Sequence, residues 1–79
     1  MLDQSPEVPI AADERFIRLP EVMRITGKSR TSIYLSIRRG EFPPAIDIGL
    51  RSRAWLESRV RSWMAERVNV SRHADAGRA

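Results

Sequence analysis

The clearest candidates for chemistry are Gly27, Lys28 and Ser29, because a glycine, a lysine and a hydroxyl in this order end many phosphate-binding loops. Such a loop also needs a glycine five residues before the Gly-Lys pair, so that successive backbone amides can surround the phosphates. Val22 stands at that position, and the residues before Gly27 follow a helical rather than a strand pattern. The sequence therefore favours a turn followed by a helix over a nucleotide-binding loop.

No group of residues has the spacing of a catalytic or metal site. A nucleophile with a nearby base is not apparent among the hydroxyls and carboxylates considered, which are Ser29, Tyr34, Asp47 and Glu57. The single histidine, His73, has no ligand partners, so we expect it to be structural or solvated. The chain has no cysteine, which excludes disulfides and thiolate metal sites. We predict no catalysis, no bound metal and no cofactor.

Positive charge is the most informative feature of the composition. All 14 basic residues lie within residues 15–79, together with six of the ten acidic residues, so this part carries a formal charge of +8. Thirteen of the 14 are arginine, whose guanidinium makes bidentate contacts with phosphate and guanine. The arginines therefore favour a nucleic-acid partner, and a genome-wide codon bias is the alternative explanation for their number.

The chain is long enough for one small domain with loose ends. Residues 1–14 hold four acidic residues and two prolines without a regular apolar pattern, and we predict a disordered leader there. Residues 69–79 are also predicted to be disordered, which leaves 15–68 as the folded domain. No apolar run approaches a membrane span and no signal-peptide pattern begins the sequence. We expect a soluble cytoplasmic protein without a membrane partner.

Two predicted helices, joined by a tight turn, account for the Gly-Lys-Ser segment. Pro20 stands at the first position of the first helix, and Gly27 ends that helix because glycine adopts the left-handed conformation that closes helices. Ser29 is the predicted N-cap of a second helix from about Arg30 to Arg39. This arrangement is typical of a helix-turn-helix unit.

A short hairpin and a third helix complete the predicted domain. The strands are predicted at 45–48 and 52–55, with Ile46 and Ile48 facing inward. The third helix, about 56–68, has a buried stripe at helical spacing, formed by Leu56, Val60, Trp63, Met64 and Val68. Both tryptophans of the chain are predicted to anchor the core rather than to stack on bases.

The second helix has a core face and a surface face. At about 100° per residue, Ile33 and Ile37 point to one side, and the other side carries polar side chains together with Leu35. The N-terminal residues of such a helix lie nearest the bases when it enters a DNA groove. The predicted base-reading residues are therefore Arg30, Thr31 and Ser32.

Double-stranded DNA is the predicted partner, because the turn, the N-cap, the arginines of the second helix and an arginine-bearing hairpin fit one nucleic-acid surface. An ordinary solvated face of an amphipathic helix is the competing interpretation. The predicted DNA surface consists of Lys28, Ser29, Arg30, Thr31, Ser32, Tyr34, Arg38, Arg39, Arg51 and Arg53. Contacts to phosphates supply affinity rather than sequence choice. We expect such contacts from Lys28, Arg39, Arg51 and Arg53.

The segments RFIRL (15–19), SRTSIY (29–34) and IRRGEFP (37–43), with the two tryptophans, resemble the AlpA-type family of prophage transcriptional regulators. That family is similar to excisionase and MerR-type winged helix-turn-helix domains. The resemblance covers residues 15–68 and implies a mainly α fold with a small β-hairpin. It also implies sequence-specific DNA binding at mobile-element genes, in association with the bacterial nucleoid.

Three departures from the pattern of that family stand out, the first at Leu35 and Ser36, where the family often has a basic residue and then leucine. Two other functions stay open. Leu35 places an apolar side chain on the presumed DNA face, Asp47 stands in the first wing strand, and Leu50 stands at the wing tip. An excisionase-like factor that bends an attachment site is one alternative. A protein-interaction module, such as an antitoxin or adaptor with Leu35 and Leu50 as its partner patch, is the other. We expect only weak or DNA-dependent self-association, since no dedicated dimerisation helix follows residues 56–68.

Overall fold

The computed structural model describes residues 12–78, with side chains through residue 73. In chain order, the elements are β1 (Phe16–Ile17), α1 (Leu19–Thr26), α2 (Arg30–Arg38), β2 (Ile46–Gly49), β3 (Ser52–Leu56) and α3 (Glu57–Arg78). The architecture is mainly α with a small antiparallel sheet. It is a winged helix-turn-helix, in which α1 and α2 form the two-helix unit and the β2–β3 hairpin forms the wing. The fold class predicted from the sequence is confirmed.

Local turn chemistry produces the helix-turn-helix unit. Gly27 has a φ of 74°, in the left-handed region, and its N–H donates to the Met23 carbonyl at 2.8 Å. This residue ends α1 because glycine enters that region without the steric cost of a Cβ atom. Ser29 is extended, and its Oγ accepts from the Ser32 N–H at 3.1 Å, which caps α2. The predicted helix end and N-cap are both confirmed.

The sheet has the order β1-β3-β2, with both pairs antiparallel. The pairing of β1 with β3 makes the predicted hairpin part of a three-stranded sheet. The prediction that Ile46 and Ile48 both face inward is wrong for Ile48, which is 40% exposed. An irregularity between Asp47 and Gly49 breaks the period-two alternation at that residue.

The core lies where the helices pack against β3. Its buried residues are Ile17, Val22, Ile33, Phe42, Ala54, Trp55 and Val60. Trp55 Nε1 donates to the Pro43 carbonyl at 2.9 Å, and Trp63 Nε1 donates to the Glu41 carbonyl at 2.7 Å. The Phe42 and Trp63 rings meet edge to face with centroids 4.8 Å apart. The tryptophans thus anchor the irregular segment between α2 and the wing, as predicted.

The third helix is longer than the sequence pattern predicts. We predicted its end near residue 68 and disorder over 69–79, but α3 continues to Arg78. The apolar stripe stops after Met64, and the predicted core residue Val68 is 50% exposed. The extension contains no proline, the residue that most strongly ends a helix, and its residues 69–73 are exposed. α3 therefore protrudes from the body, and the molecule is 60 Å long.

The predicted acidic leader lies mostly outside the described residues, but its last member belongs to the fold. The Glu14 carboxylate accepts from the N–H of Ser58, at 3.2 Å, and from the Ser58 hydroxyl. It thereby caps the N-terminal end of α3. The hydrogen bonds from Ser58 lower the pKa of Glu14. Glu14 thus packs with the body of the molecule, although it lies one residue before the predicted boundary at Arg15.

Candidate nucleic-acid interface

A network of charge pairs neutralises several arginines near β1, α1 and the start of α3. Arg15 Nε donates to Glu57 Oε1 at 2.7 Å, and an Arg61 guanidinium nitrogen lies 2.9 Å from Glu57 Oε2. Arg24 pairs with Glu21 on α1. Hydrogen bonds from Arg15 and Arg61 lower the pKa of Glu57, and the hydrogen bond from Arg24 lowers that of Glu21. These arginines have local partners and are poor candidates for binding an external anion.

An open groove of about 660 Å³ lies between the start of α1, the start of α2 and the wing. We call it the arginine groove, because four arginines form its rim: Arg18, Arg30, Arg51 and Arg53. The other residues that line the groove, which we call its floor, are mostly apolar: Leu19, Pro20, Met23, Tyr34 and Trp55. Within the described residues, none of the four arginines has a carboxylate within 4.0 Å. Uncompensated positive charge is therefore concentrated beside the N-terminal end of α2.

Three separate elements bring the rim together. Arg18 is the residue before α1, and its side chain is exposed and makes no capping hydrogen bond. Arg30 opens α2, with its guanidinium carbon 5.9 Å from the centroid of the Tyr34 ring. Arg53 lies two residues before Trp55 on β3, so strand alternation places both on the same face. The helix-turn-helix and the wing thus contribute to one cationic surface.

The fourth rim residue, Arg51, lies in the wing turn with a φ of 58°. A non-glycine residue in this left-handed region is strained, and such strain is concentrated at functional sites. Asp47 Oδ1 accepts from the Gly49 N–H at 3.1 Å and so holds the turn, although Asp47 is the antiparallel partner of Arg53. Leu50 is 93% exposed at the tip. The acidic residue in the wing is therefore explained by turn structure.

The surface face of α2 remains exposed next to the arginine groove. Thr31, Arg38 and Arg39 are exposed, and Leu35 is 37% exposed. Ile33, on the opposite face, is completely buried. The helix therefore presents hydroxyl, guanidinium and apolar groups outward, which are the groups that contact phosphates and base edges in DNA grooves.

Other predicted site residues are engaged in the fold. The Ser29 hydroxyl caps α2 and binds the Ser32 N–H, and Ser32 itself is half-buried. Tyr34 is half-buried against the core, with its ring centroid 6.5 Å from that of Trp55. The Lys28 ammonium lies 5.6 Å from the centroid of a Trp63 ring, and Lys28 does not line the groove. The predicted surface is thus divided into a groove, an exposed helix face and a structural turn.

Arg18 is the rim residue that sequence reasoning did not select. It belongs to the same RFIRL segment (15–19) as Arg15, and the two residues have the same side chain. Arg15 pairs with Glu57, 42 residues later in the chain, whereas Arg18 faces the groove. Only the tertiary structure separates the paired arginine from the arginine that is free to bind a ligand.

Among the described residues, no three histidine, aspartate or glutamate side chains cluster closely enough to hold a metal ion. His73 is exposed, and its Nδ1 lies 3.0 Å from the Asn69 carbonyl oxygen, one helical turn earlier. No helix in the described part of the chain is long and apolar enough to cross a membrane.

Residues 15–68 match the family model described as prophage CP4-57 regulatory protein (AlpA). The chain belongs to this family. It is 51% identical over 61 residues to the uncharacterized protein ORF88 of Enterobacteria phage P4, across 77% of this chain and 69% of that protein. It is also 30% identical over 62 residues to the DNA-binding transcriptional activator AlpA of Escherichia coli strain K12, across 71% of this chain and 89% of that protein. No solved structure matches the chain significantly.

The AlpA-family region coincides with the packed body of the molecule. It begins at Arg15, next to the charge pair with Glu57, and it contains the whole arginine groove and α2. It ends at Val68, within the exposed part of α3. The region that matches the family model therefore contains the core, the helix-turn-helix and the wing.

Proposed function

We propose that this AlpA-family chain is a sequence-specific regulator of transcription that binds double-stranded DNA and acts on prophage or other mobile-element genes. The arginine groove carries the proposal, because its four guanidiniums lack acidic partners among the described residues and lie beside the exposed start of α2. Phosphates supply the charge that such a surface attracts. The relative named a DNA-binding transcriptional activator supports the same function.

In the proposed complex, α2 enters the major groove with its exposed face toward the bases. Thr31 and Arg38 reach base edges, where a hydroxyl bonds to several bases and a guanidinium prefers guanine. Leu35 contacts a thymine methyl group, which gives a role to the apolar residue on this face. The wing lies against the neighbouring backbone through Arg51 and Arg53. Self-association remains weak or DNA-dependent in this proposal.

Selection of bound duplexes from a random pool tests sequence-specific binding. We expect enrichment of a short motif with the full chain. The matched variant Thr31→Val removes the hydroxyl at nearly constant volume, and we expect it to relax the preference at one base position while binding scrambled duplex as before. A pool that shows no enrichment with the wild-type chain contradicts the proposal.

The wing tip favours a second candidate function, which is architectural bending of DNA. Leu50 is 93% exposed, and apolar side chains of this kind act as wedges between base steps in proteins that kink DNA. Energy transfer between dyes at the two ends of a bound duplex measures the bend. A large bend that Leu50→Ser abolishes at nearly unchanged affinity would identify an architectural factor. An unbent duplex would leave promoter regulation as the function.

A further inference from the structure

We infer that the arginine groove binds the sugar–phosphate backbone of one DNA strand, with Arg18 as a phosphate contact, and that Arg30 contacts this backbone rather than a base. The inference rests on the proposed function and specifies which part of the DNA occupies the groove. It adds Arg18 to the interface. It also replaces the base-reading role that we predicted for Arg30, because Arg30 opens α2, with a contact to the backbone.

The groove has the chemistry of a backbone site. Its floor includes Pro20 and Met23, which have no side-chain donors, and the indole N–H of Trp55 is already donated to the Pro43 carbonyl. Base edges are recognised chiefly by hydrogen-bond donors and acceptors, and Pro20, Met23 and Trp55 have no side-chain donor left to offer. They are suited instead to the apolar faces of deoxyribose rings. Tyr34 adds a hydroxyl that can reach a phosphate oxygen.

The rim has the charge and the spread of a site for several phosphates. Guanidiniums bind phosphate oxygens in bidentate geometry, and four of them surround a groove of about 660 Å³. This volume is within the range of sites for drug-sized ligands, roughly 300 to 1,000 Å³, so one inorganic phosphate would contact only part of the rim. A strand presents repeated phosphates with sugars between them, which matches a cationic rim around an apolar floor.

The side-chain positions favour a backbone role for Arg30. Its guanidinium lies over the Tyr34 ring and faces the groove together with Arg51 and Arg53 from the wing. Thr31, the next residue, is exposed on the outer face of α2. In the first turn of α2, Arg30 thus contacts the DNA backbone and Thr31 contacts the bases.

Arg18→Gln tests the inference, with Arg24→Gln as its matched control. Both changes remove one charge near α1, but Arg24 pairs with Glu21 and does not line the groove. We compare their affinities by fluorescence anisotropy on the selected duplex and on a scrambled duplex, at several salt concentrations. Loss of one phosphate contact makes the negative slope of log affinity against log salt shallower by about 0.9. This corresponds to roughly eightfold weaker binding at 0.1 M salt.

We expect Arg18→Gln to show this loss equally on both duplexes, and Arg24→Gln to stay within about twofold of the wild type because distant exposed charges are screened. Thermal melting of Arg18→Gln should match the wild type, since the side chain makes no capping hydrogen bond. Unchanged affinity for Arg18→Gln would overturn the inference. So would a loss confined to the selected duplex, which would indicate a base contact.

Arg30→Ala tests the second part of the inference in the same titrations. We expect uniform weakening on both duplexes, and a loss restricted to the selected duplex would restore base reading by Arg30 and overturn its backbone role. A wild-type chain that binds neither duplex would refute the proposed function itself. That result is distinguishable from a failure of the groove inference, in which the wild type binds and the variants bind equally well.

Discussion

Arg51 combines backbone strain with a position on the rim of the arginine groove, and two substitutions separate these properties. Its φ of 58° places a residue with a Cβ atom in the left-handed region, at a cost of roughly 1 to 3 kcal/mol. Glycine adopts this conformation without that cost. Arg51→Gly therefore removes the strain and the charge together, whereas Arg51→Ala removes the charge and keeps the strain.

The expected difference in stability follows from the backbone strain at Arg51 and from the freedom of glycine in the unfolded chain. A glycine lowers the free energy of unfolding by about 0.4 to 1 kcal/mol, because its unfolded chain has greater freedom. The relief of strain, roughly 1 to 3 kcal/mol, is larger. Arg51→Gly should therefore be more stable than Arg51→Ala by about 1 kcal/mol. For a domain of this size that difference corresponds to roughly 4 to 8 °C in Tm. Both variants lose one phosphate contact, so both should bind any duplex roughly eightfold more weakly at 0.1 M salt.

Thermal melts followed by circular dichroism and anisotropy titrations measure the two effects independently. Equal Tm values for Arg51→Gly and Arg51→Ala would refute the strain argument. Wild-type affinity in both variants would refute the phosphate contact. A much weaker affinity for Arg51→Gly than for Arg51→Ala would show that the glycine variant loses the wing geometry, which contradicts the assumption that the two variants share one bound conformation.

Two further predictions concern stability. The contacts of Glu57 with Arg15 and Arg61 lower its pKa. Its ionised form therefore stabilises the fold above the ordinary glutamate pKa of about 4.3. This contribution is lost as the pH falls through the lower pKa of the folded state. Melts at decreasing pH should show Tm falling in this window for the wild type and less steeply for Glu57→Gln; identical profiles would contradict the assignment. A chain that ends at Val68 should keep its Tm within about 4 °C, less than the shift for 1 kcal/mol, because residues 69–73 are exposed. Loss of cooperative melting would show that the extension of α3 is required for folding.

The helix-turn-helix could be predicted from the sequence because its determinants are local. Gly27 closes α1 through its own φ, and Ser29 caps α2 through a residue three positions later. The wing hairpin was predictable for the same reason, since turn residues separate two short alternating segments. Ile48 was mispredicted because alternation assumes an unbroken register, and the irregularity beside it depends on the partner strand.

The arginine groove and the length of α3 depend on information that the linear sequence does not display. Arg15 and Arg18 differ in role because Glu57 lies beside the first and not the second. Residues 69–79 lack an apolar stripe, which we interpreted as disorder, yet the helix continues to Arg78. Periodicity reports packing against a core, and it gives no signal for a helix that extends into solvent.

The salt dependence of affinity tests the central claim of DNA binding most directly. Five arginines are proposed to contact phosphates, namely Arg18, Arg30, Arg39, Arg51 and Arg53. Anisotropy titrations between low and physiological salt should then give a slope of log affinity against log salt near −4.5 on selected and scrambled duplexes alike, with tighter binding to the selected one. A slope near zero, or no binding to either duplex, would contradict the account and identify these arginines as a solvated surface.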